Sequence, residues 1–336
     1  MLTNWERLDH VLRGGVPDRL PLLHVWGDHD RYVQQTIAAR GYPGDGDERY
    51  LSYRHDEGFA TGRSVGWFSP LPRGGADVDG VHRYVQGGLT SGAPLDPFEH
   101  LGDLDALAAQ CRGVVSANRR FGLGTIGYIT NCIHAVATAM GWEAFALAVY
   151  DEPDWLDAAL EQAERHNRRG LEVMFDAGVE LICFDGDCAY RSGLMLSPQA
   201  MRRLWFERTR RTLAWCQRAD RHALFHSDGK ADDLLPMLIE LGFAAFHGCE
   251  KQANDLGELK RRFGDRITLV GNADHVELTH GTPQQIAADT ARMLAAAAPG
   301  GRYVPDVNTL VPDCPIENYA AFHETILRLG TYPREG

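Results

Sequence analysis

A chain of 336 residues is long enough for one large domain or two, and 44% hydrophobic with 24% charged residues is the balance of an ordinary globular protein. The formal net charge of -12 argues against duplex nucleic acid or an anionic membrane as partner, since both demand a basic face; its plainest consequence is solubility. The 7 cysteines are scattered without CxxC or framework spacing, and no run approaches the roughly 18 apolar residues that span a bilayer, so free thiols in a reducing, cytoplasmic setting are expected.

Residues 1–13 read as an amphipathic helix rather than a signal sequence. A first strand is expected over 20–25, followed by His24, Trp26, Asp28 and His29 at its end. These read as a small-substrate pocket with an aromatic wall, or else as a core tryptophan beside a solvated histidine. Residues 40–110 are rich in Gly, Pro and Asp and predict irregular excursions over a barrel mouth, with a weak strand between 66 and 86. In that stretch His55-Asp56 could cap the mouth, and Trp67 and Phe68 suit a lid or a partner contact.

From there apolar runs alternate with helix-period segments. Strands are expected at 121–128, 181–184, 223–226, 244–247, 267–271 and 303–307, and helices at 142–149, 155–177, 198–219, 231–241, 256–263 and 282–297. Ser197-Pro198 and Thr282-Pro283 place a cap before a proline at the first helical position, and Gly178, Gly242 and Gly264 stand where helices should end. The tail from 329 to 336 reads as a loose end. Repeated βα units predict parallel strands with right-handed crossovers, and about eight of them favour a closed (β/α)₈ TIM barrel over an open sheet. No G-x-G-x-x-G follows an early strand, which counts against a dinucleotide fold. One barrel domain over 1–336 is the expectation.

Four expected strands end in polar pairs spaced i, i+2: Asp185/Asp187, His226/Asp228, Asn272/Asp274 and Asp306/Asn308. Side chains alternate along a strand, so each pair points one way, toward the carboxyl ends where parallel α/β enzymes keep their chemistry. Asp185 and Asp187 are close enough to share a proton or face a cation, which suits acid/base work or metal binding. His226 and Asp228 offer a nitrogen and a hard oxygen on one side of a strand, or a hydrogen-bonded pair holding the loop at Gly229. Asp306 and Asn308 are assigned to substrate orientation, while Asn272 and Asp274 divide evenly between substrate contact and a strand-end turn. Tyr128, His134 and Tyr190 are candidates to join the pocket as wall or lid. His247 and Cys249 read as a buried structural pair, with Cys249 a sulfur ligand if it turns inward, and Glu250 as solvated.

Four stretches carry a resemblance across nearly the whole chain: "ELICFDGDCAYRSGLMLSPQAMRR" (180–203), "ALFHSDGKADDLLPMLIELGF" (223–243), "ITLVGNADHVELTHGTPQQI" (267–286) and "GGRYVPDVNTLVPDCPIENYAAF" (300–322). The chain resembles the uroporphyrinogen decarboxylase superfamily. That resemblance implies a (β/α)₈ barrel and either decarboxylation or zinc-dependent methyl transfer linked to a corrinoid on a partner protein, and it is compatible with a homodimer. The decarboxylase pattern "RQAGRY" stands here as "GDHDRY" (27–32): Arg31 and Tyr32 match, while Gly27 and Asp28 replace its arginine and glutamine. Its "FDS" is "FDG", keeping Asp185; its late histidine falls at Asn308 and its tyrosine near Ala137. The methyltransferases' H-x-C pair is His226 and Asp228 here, and their distant cysteine is again Asn308, which leaves Cys249, on the next strand end, to supply a sulfur ligand if it turns inward.

A tetrapyrrole bearing many carboxylates needs cations at the mouth, and this mouth offers Asp28, Asp30, Asp185, Asp187, Asp228 and Asp306. The expected function is therefore methyl transfer or demethylation of a small substrate. Asp185, Asp187, His226 and Asp228 would be catalytic; Trp26, Asp28, His29, Arg31, Tyr128, Tyr190, Asn272, Asp306 and Asn308 would contact substrate; His226, Asp228 and Cys249 would hold a divalent metal, zinc first. A decarboxylase or lyase on a small substrate is the alternative, and a catalytically inactive binding protein the third.

Overall fold

The computed structural model describes residues 2–26, 29–71, 76–78, 81–83, 88–309 and 313–332. The chain begins with α1 (Asn4–Leu12), α2 (Asp30–Arg40), α3 (Gly46–Asp56) and β1 (Val65–Trp67), followed by the hairpin β2 (Ala76–Val78) and β3 (Val81–Arg83). Next come α4 (Leu104–Arg120), β4 (Ile126–Thr130), α5 (Cys132–Met140), α6 (Trp142–Asp151), α7 (Pro153–Ala177) and β5 (Leu181–Asp185). A second hairpin, β6 (Ala189–Tyr190) and β7 (Gly193–Leu194), leads to α8 (Pro198–Met201), a π-turn (Arg202–Phe206), α9 (Glu207–Arg218) and β8 (His222–His226). The remainder is α10 (Leu234–Leu241), β9 (Ala245–His247), α11 (Leu256–Phe263), β10 (Thr268–Val270), α12 (His275–His280), α13 (Pro283–Ala297), β11 (Tyr303–Val304) and α14 (Ile316–Leu329).

Seven strands form one sheet in the order β1-β4-β5-β8-β9-β10-β11, every pairing parallel. Alternation sorts their side chains into two layers. Leu23, Ala60, Ile126, Leu181, Leu224, Ala245, Val270 and Val304 meet in one compact cluster, and each comes from a different stave. The residues of opposite parity, among them Ile182, Phe225, Phe246 and Leu269, pack outward against the helices. An inner cluster fed from all sides is the filled interior of a (β/α)₈ barrel.

The first stave, 20–25, carries no ladder of its own. Pro21 has no N–H to give, and one parallel bridge, Leu22 to Phe59, ties the segment to the second stave. On its other side the carboxylate of Asp306 substitutes for a ladder, accepting from Val25 N–H at 2.9 Å. Helix α1 closes the amino-terminal end of the barrel. Its Leu8, Val11 and Leu12 join the inner cluster, Thr268 at the start of β10 donates to Val11 O, and Trp5 lies on Gly124 where a Cβ would be 2.1 Å away.

Several expectations are corrected. The stretch 40–110 contains α3 and the barrel strand β1. The strand expected at 121–128 starts late because Phe121 and Leu123 donate to Asn118 O to end α4, and it runs on to Thr130. Helix α10 begins at Leu234 rather than 231. The tail is pinned as far as Tyr332: Leu20 N–H donates to Gly330 O, and Tyr332 N–H to Asp18 O. The helix expected over 198–219 is broken by the π-turn, whose wider spacing buries Leu204, Trp205 and Phe206 in succession and sets Trp205 edge-on to Phe225 at 5.3 Å. No single helix among the described residues is long and apolar enough to cross a membrane.

Helix α7 buries Leu156, Leu160, Ala163, Asn167, Leu171 and Met174, one face at helical spacing, and with them Glu164. Thr212 of α9 donates to Glu164 Oε1, yet burial dominates and raises this carboxyl to about 7 from its ordinary 4.5. The folded state therefore holds a proton that the unfolded state releases. Stability from this group is highest below the unfolded value and is lost as pH rises through about 7, by an amount on the order of 3 kcal/mol. Glu164→Gln keeps an acceptor for Thr212. It should raise the melting temperature at pH 8 and leave it nearly unchanged at pH 4.5, as thermal denaturation across that range will read.

Candidate active site

The inward parity of the barrel continues past its core. Above Leu224 it places His226 and then Asp228; above Cys183, Asp185 and Asp187; above Val304, Asp306 and Asn308. Among the described residues, Asp187, His226 and Asp228 form the group whose ligand atoms all lie within 4.8 Å of one another. Asp187 Oδ1 accepts from Asp228 N–H at 2.8 Å, and Asn308 Nδ2 donates to Asp228 Oδ1 at 2.7 Å. The loop beneath is fixed by backbone anchoring. Gly229 N–H donates to Glu250 Oε2 at 3.0 Å, and Asn254 Nδ2 donates to Gly229 O and Glu250 O. Gly229 has φ +89°, and a Cβ there would sit 2.6 Å from Ala189 O, so only glycine lets the β6–β7 hairpin approach.

Burial, followed by the Asp187 and Glu250 carboxylates, raises Asp228 to about 6, against the Asn308 hydrogen bond. Burial also holds His226 well below its ordinary value, with the neighbouring His247 adding to the effect, so its imidazole is neutral. A neutral imidazole beside two carboxylates is a donor set for a divalent ion. The fit is supported by Asn308, whose Oδ1 is buried without a hydrogen-bond partner among the described residues while its Nδ2 is pinned to Asp228. An acceptor orphaned beside three donors is the state a cation relieves.

Below this group runs a buried polar line. His226 Nδ1 lies 2.7 Å from His247 Nδ1, and His247 Nε2 is 3.3 Å from Asp306 Oδ2, at ion-pair distance but outside hydrogen-bond geometry. Asp306 Oδ1 meets His24 Nδ1 at 2.7 Å, and Tyr319 Oη meets His24 Nε2 at 2.5 Å. Burial alone would raise Asp306, but the His24 hydrogen bond first, and then the facing imidazole of His247, hold it at about 2. Beside the line stands an aromatic wall: Trp26 is edge-on to His226 at 5.2 Å and stacked on Tyr128 at 5.1 Å, and Phe68 stacks on Tyr128 at 6.3 Å.

Other candidates fall elsewhere. Asp185 ends β5 above Cys183, outside the three-residue group, and its carbonyl accepts from Asn131 N–H. The hydroxyl of Tyr128 is turned to Val25 O, so the ring is wall and not a hydrogen-bond donor to substrate. Asp306 is 2% exposed and serves the barrel seam and the histidine line rather than the open mouth. Asn272 donates to Cys249 O, and Asp274 caps α12 through Glu277 N–H. That pair lines a separate cavity of about 510 Å³ bounded by α11, α12 and α13, so the four pairs do not converge on one point.

Cys249 stands outside the group, fully buried, with its thiol pushed up to about 12 by burial, and the third member of the group is Asp187. His29 is used structurally, its Nδ1 capping α2 at Tyr32 N–H and its Nε2 2.6 Å from Cys314 O; the exposed Arg31 reaches the same carbonyl. Asp28 lies outside the described residues. Tyr190 is 52% exposed on the hairpin whose backbone accepts from Lys230 N–H. His134 stands edge-on to Trp142, close enough to depress His226. His55 presents its carbonyl to Asn4 of α1, at the end of the barrel opposite the donor group, and Trp67 stacks on His166 at 4.6 Å, facing the helices.

The uroporphyrinogen decarboxylase (URO-D) family matches residues 89–329, well over half of the 336. The chain belongs to this family. A curated URO-D relative, uroporphyrinogen decarboxylase of Alkalilimnicola ehrlichii, is 27% identical over 194 residues, covering 54% of this chain and 49% of that protein. The chain thus spans about half the length of the curated relative it matches. A solved methyltransferase from Methanosarcina mazei superimposes with a TM-score of 0.70 over 98% of this chain and 99% of that one, at 16% identity, and this likeness bears on the fold.

As a URO-D family member the chain carries one residue that sequence reading undervalued. His247 looked structural, yet it joins His226 to Asp306; the signal available was its parity with Ala245, which points it inward beside His226.

Proposed function

We propose that the chain is a metal-dependent demethylating methyltransferase of the URO-D family. It would take a methyl group from a small aromatic ether or amine and pass it to a corrinoid carried by a partner protein. The observation that carries this reading is the convergence of Asp187, His226 and Asp228 beside the unpartnered Asn308 Oδ1. These residues would hold the ion, and the oxygen-rich set admits manganese as well as zinc. A divalent ion there supplies Lewis acidity toward the heteroatom that gives up the methyl group. The wall of Phe68, Tyr128 and Trp26 suits a flat ring laid beside His226. A methyl carbon passed to a reduced corrinoid would leave its bonding pair on the oxygen or nitrogen, and Asp185 would be the acid that protonates that atom. The carboxylates around the mouth disfavour a polycarboxylate tetrapyrrole.

The test is to incubate zinc- or manganese-loaded protein with cob(I)alamin and a panel of methoxy-aromatics and methylamines. Methylcobalamin together with the demethylated product is expected. Release of carbon dioxide from a small carboxylic acid, without methyl transfer, would favour a lyase, and coproporphyrinogen formed from uroporphyrinogen would defeat both the substrate class and the reaction.

A pH dependence follows for the ion. Asp228 must lose its proton to bind, and its carboxyl titrates at about 6. Metal affinity should rise between pH 5 and pH 7 as that proton leaves, while His226, already neutral, adds no slope there. Asp228→Asn should flatten the profile in calorimetric titrations with zinc.

A further inference from the structure

The cavity that receives Asn272 and Asp274 lies apart from the donor group and has no part in the proposed reaction. We infer that it is a second ligand site, built for a small aliphatic ammonium ion.

A volume of about 510 Å³ is that of a small-molecule site. The walls are aliphatic: Leu256 of α11, Leu278 of α12, and Ile286 and Met293 of α13, over Phe322 of α14. Against them stand two acceptors from the segment after β10. Asn272 is 6% exposed and gives Nδ2 to Cys249 O, which fixes its Oδ1 as the other end, and no described residue donates to that oxygen. Asp274 is 7% exposed; its Oδ1 accepts from Glu277 N–H and its Oδ2 from Gln252 Nε2 at 3.3 Å. Both donors are neutral, and no Lys, Arg or His among the described residues lies within ion-pair distance of this carboxylate. The cations of the lining are engaged elsewhere, Lys251 with Glu277 and Arg292 with Asp289. With Asp255, the carboxylates outnumber them. A buried carboxylate with no counter-charge, beside an unpartnered amide oxygen, is relieved by a ligand that brings positive charge and N–H donors together. An ammonium head does so, and a hydrocarbon chain behind it covers the aliphatic walls. The acidic lining repels an anion. A bare divalent ion is disfavoured too, because no three of these carboxylates bring their oxygens within 4.8 Å of one another, as the donor group does with its ligand atoms.

Three probes of one chain length separate charge from apolar fit: hexylamine, 1-hexanol and hexanoate, titrated calorimetrically into the full-length protein at neutral pH, where the amine is protonated. Hexylamine should bind saturably, 1-hexanol about 10-fold or more weakly, and hexanoate not measurably. Asp274→Asn keeps an acceptor for Glu277 N–H and removes the charge; it should weaken hexylamine by about 10–100-fold. Ala296→Phe adds a ring on α13 at the gap to α11, where a Cβ on Gly257 would lie 3.9 Å from Ala296 Cβ, and should also weaken hexylamine at least 10-fold by filling the cavity. Ala296 is exposed, so that variant should fold. Asp228→Ala should leave hexylamine affinity unchanged. A wild-type protein that binds no hexylamine overturns the inference, as does 1-hexanol or hexanoate binding as tightly as the amine. Binding lost in Asp228→Ala but kept in Asp274→Asn and Ala296→Phe would put the amine at the barrel mouth and overturn it equally.

Discussion

Replacing Asp306 with alanine is expected to cost about 3–5 kcal/mol, the largest loss of stability from any single side chain at the mouth. The carboxylate is 2% exposed and accepts from Val25 N–H and Val307 N–H while facing His24 and His247. Alanine leaves those buried donors without acceptors, and each orphan costs about 1–3 kcal/mol. It also removes the link between the eighth stave and the first, whose own backbone forms no ladder. At about 2 cal/mol/K of unfolding entropy per residue, a chain of this length should melt roughly 4–7 °C lower.

The wild-type protein should also show the acid dependence of the group. Asp306 sits below its ordinary 3.8, at about 2, so its contribution is complete above 3.8 and fades as pH falls through 2. A melting temperature for Asp306→Ala within about 1 °C of wild type would show that the seam is held by other means.

The second large effect is on catalysis. His226→Ala and Asp228→Ala should each lower kcat/KM for methyl transfer by roughly three orders of magnitude or more, the equivalent of several kcal/mol of transition-state stabilisation supplied by a bound ion. Both side chains belong to the group held within 4.8 Å, and neither anchors the barrel seam, so the variants should fold. Asp185→Asn should lower the rate by about 10²–10⁴-fold, the range for a positioned acid, with metal content intact. A His226→Ala enzyme that keeps wild-type kcat/KM would remove the donor group from the chemistry.

The barrel was legible because its signals are local. Leu181–Asp185, His222–His226 and Thr268–Val270 are short apolar runs, and the caps at Ser197 and Thr282 fall where the helices begin. Inward parity correctly joined His226 to Asp228 and brought Asn308 to them. What eluded the sequence depends on distances between staves. Parity says that Asn272 and Asp306 point inward, but not that Asn272 turns to Cys249 O or that Asp306 is consumed by the seam. The preference for Asp185 over Asp187 came from motif likeness, whereas it is Asp187 that stands within reach of His226, on the loop that also accepts Asp228 N–H. The second stave was only weakly marked, as a strand expected between 66 and 86, because its stretch is rich in glycine and proline, although Ala60 and Val65 supply ordinary barrel contacts.

The most direct measurement is elemental analysis of the purified chain after exposure to zinc or manganese, alongside Asp187→Ala, His226→Ala and Asp228→Ala. One ion per wild-type chain, lost in all three variants and retained in Cys249→Ala, is the expected result. A wild-type chain that retains no ion, or three variants that retain it fully, contradicts a metal centre at Asp187, His226 and Asp228.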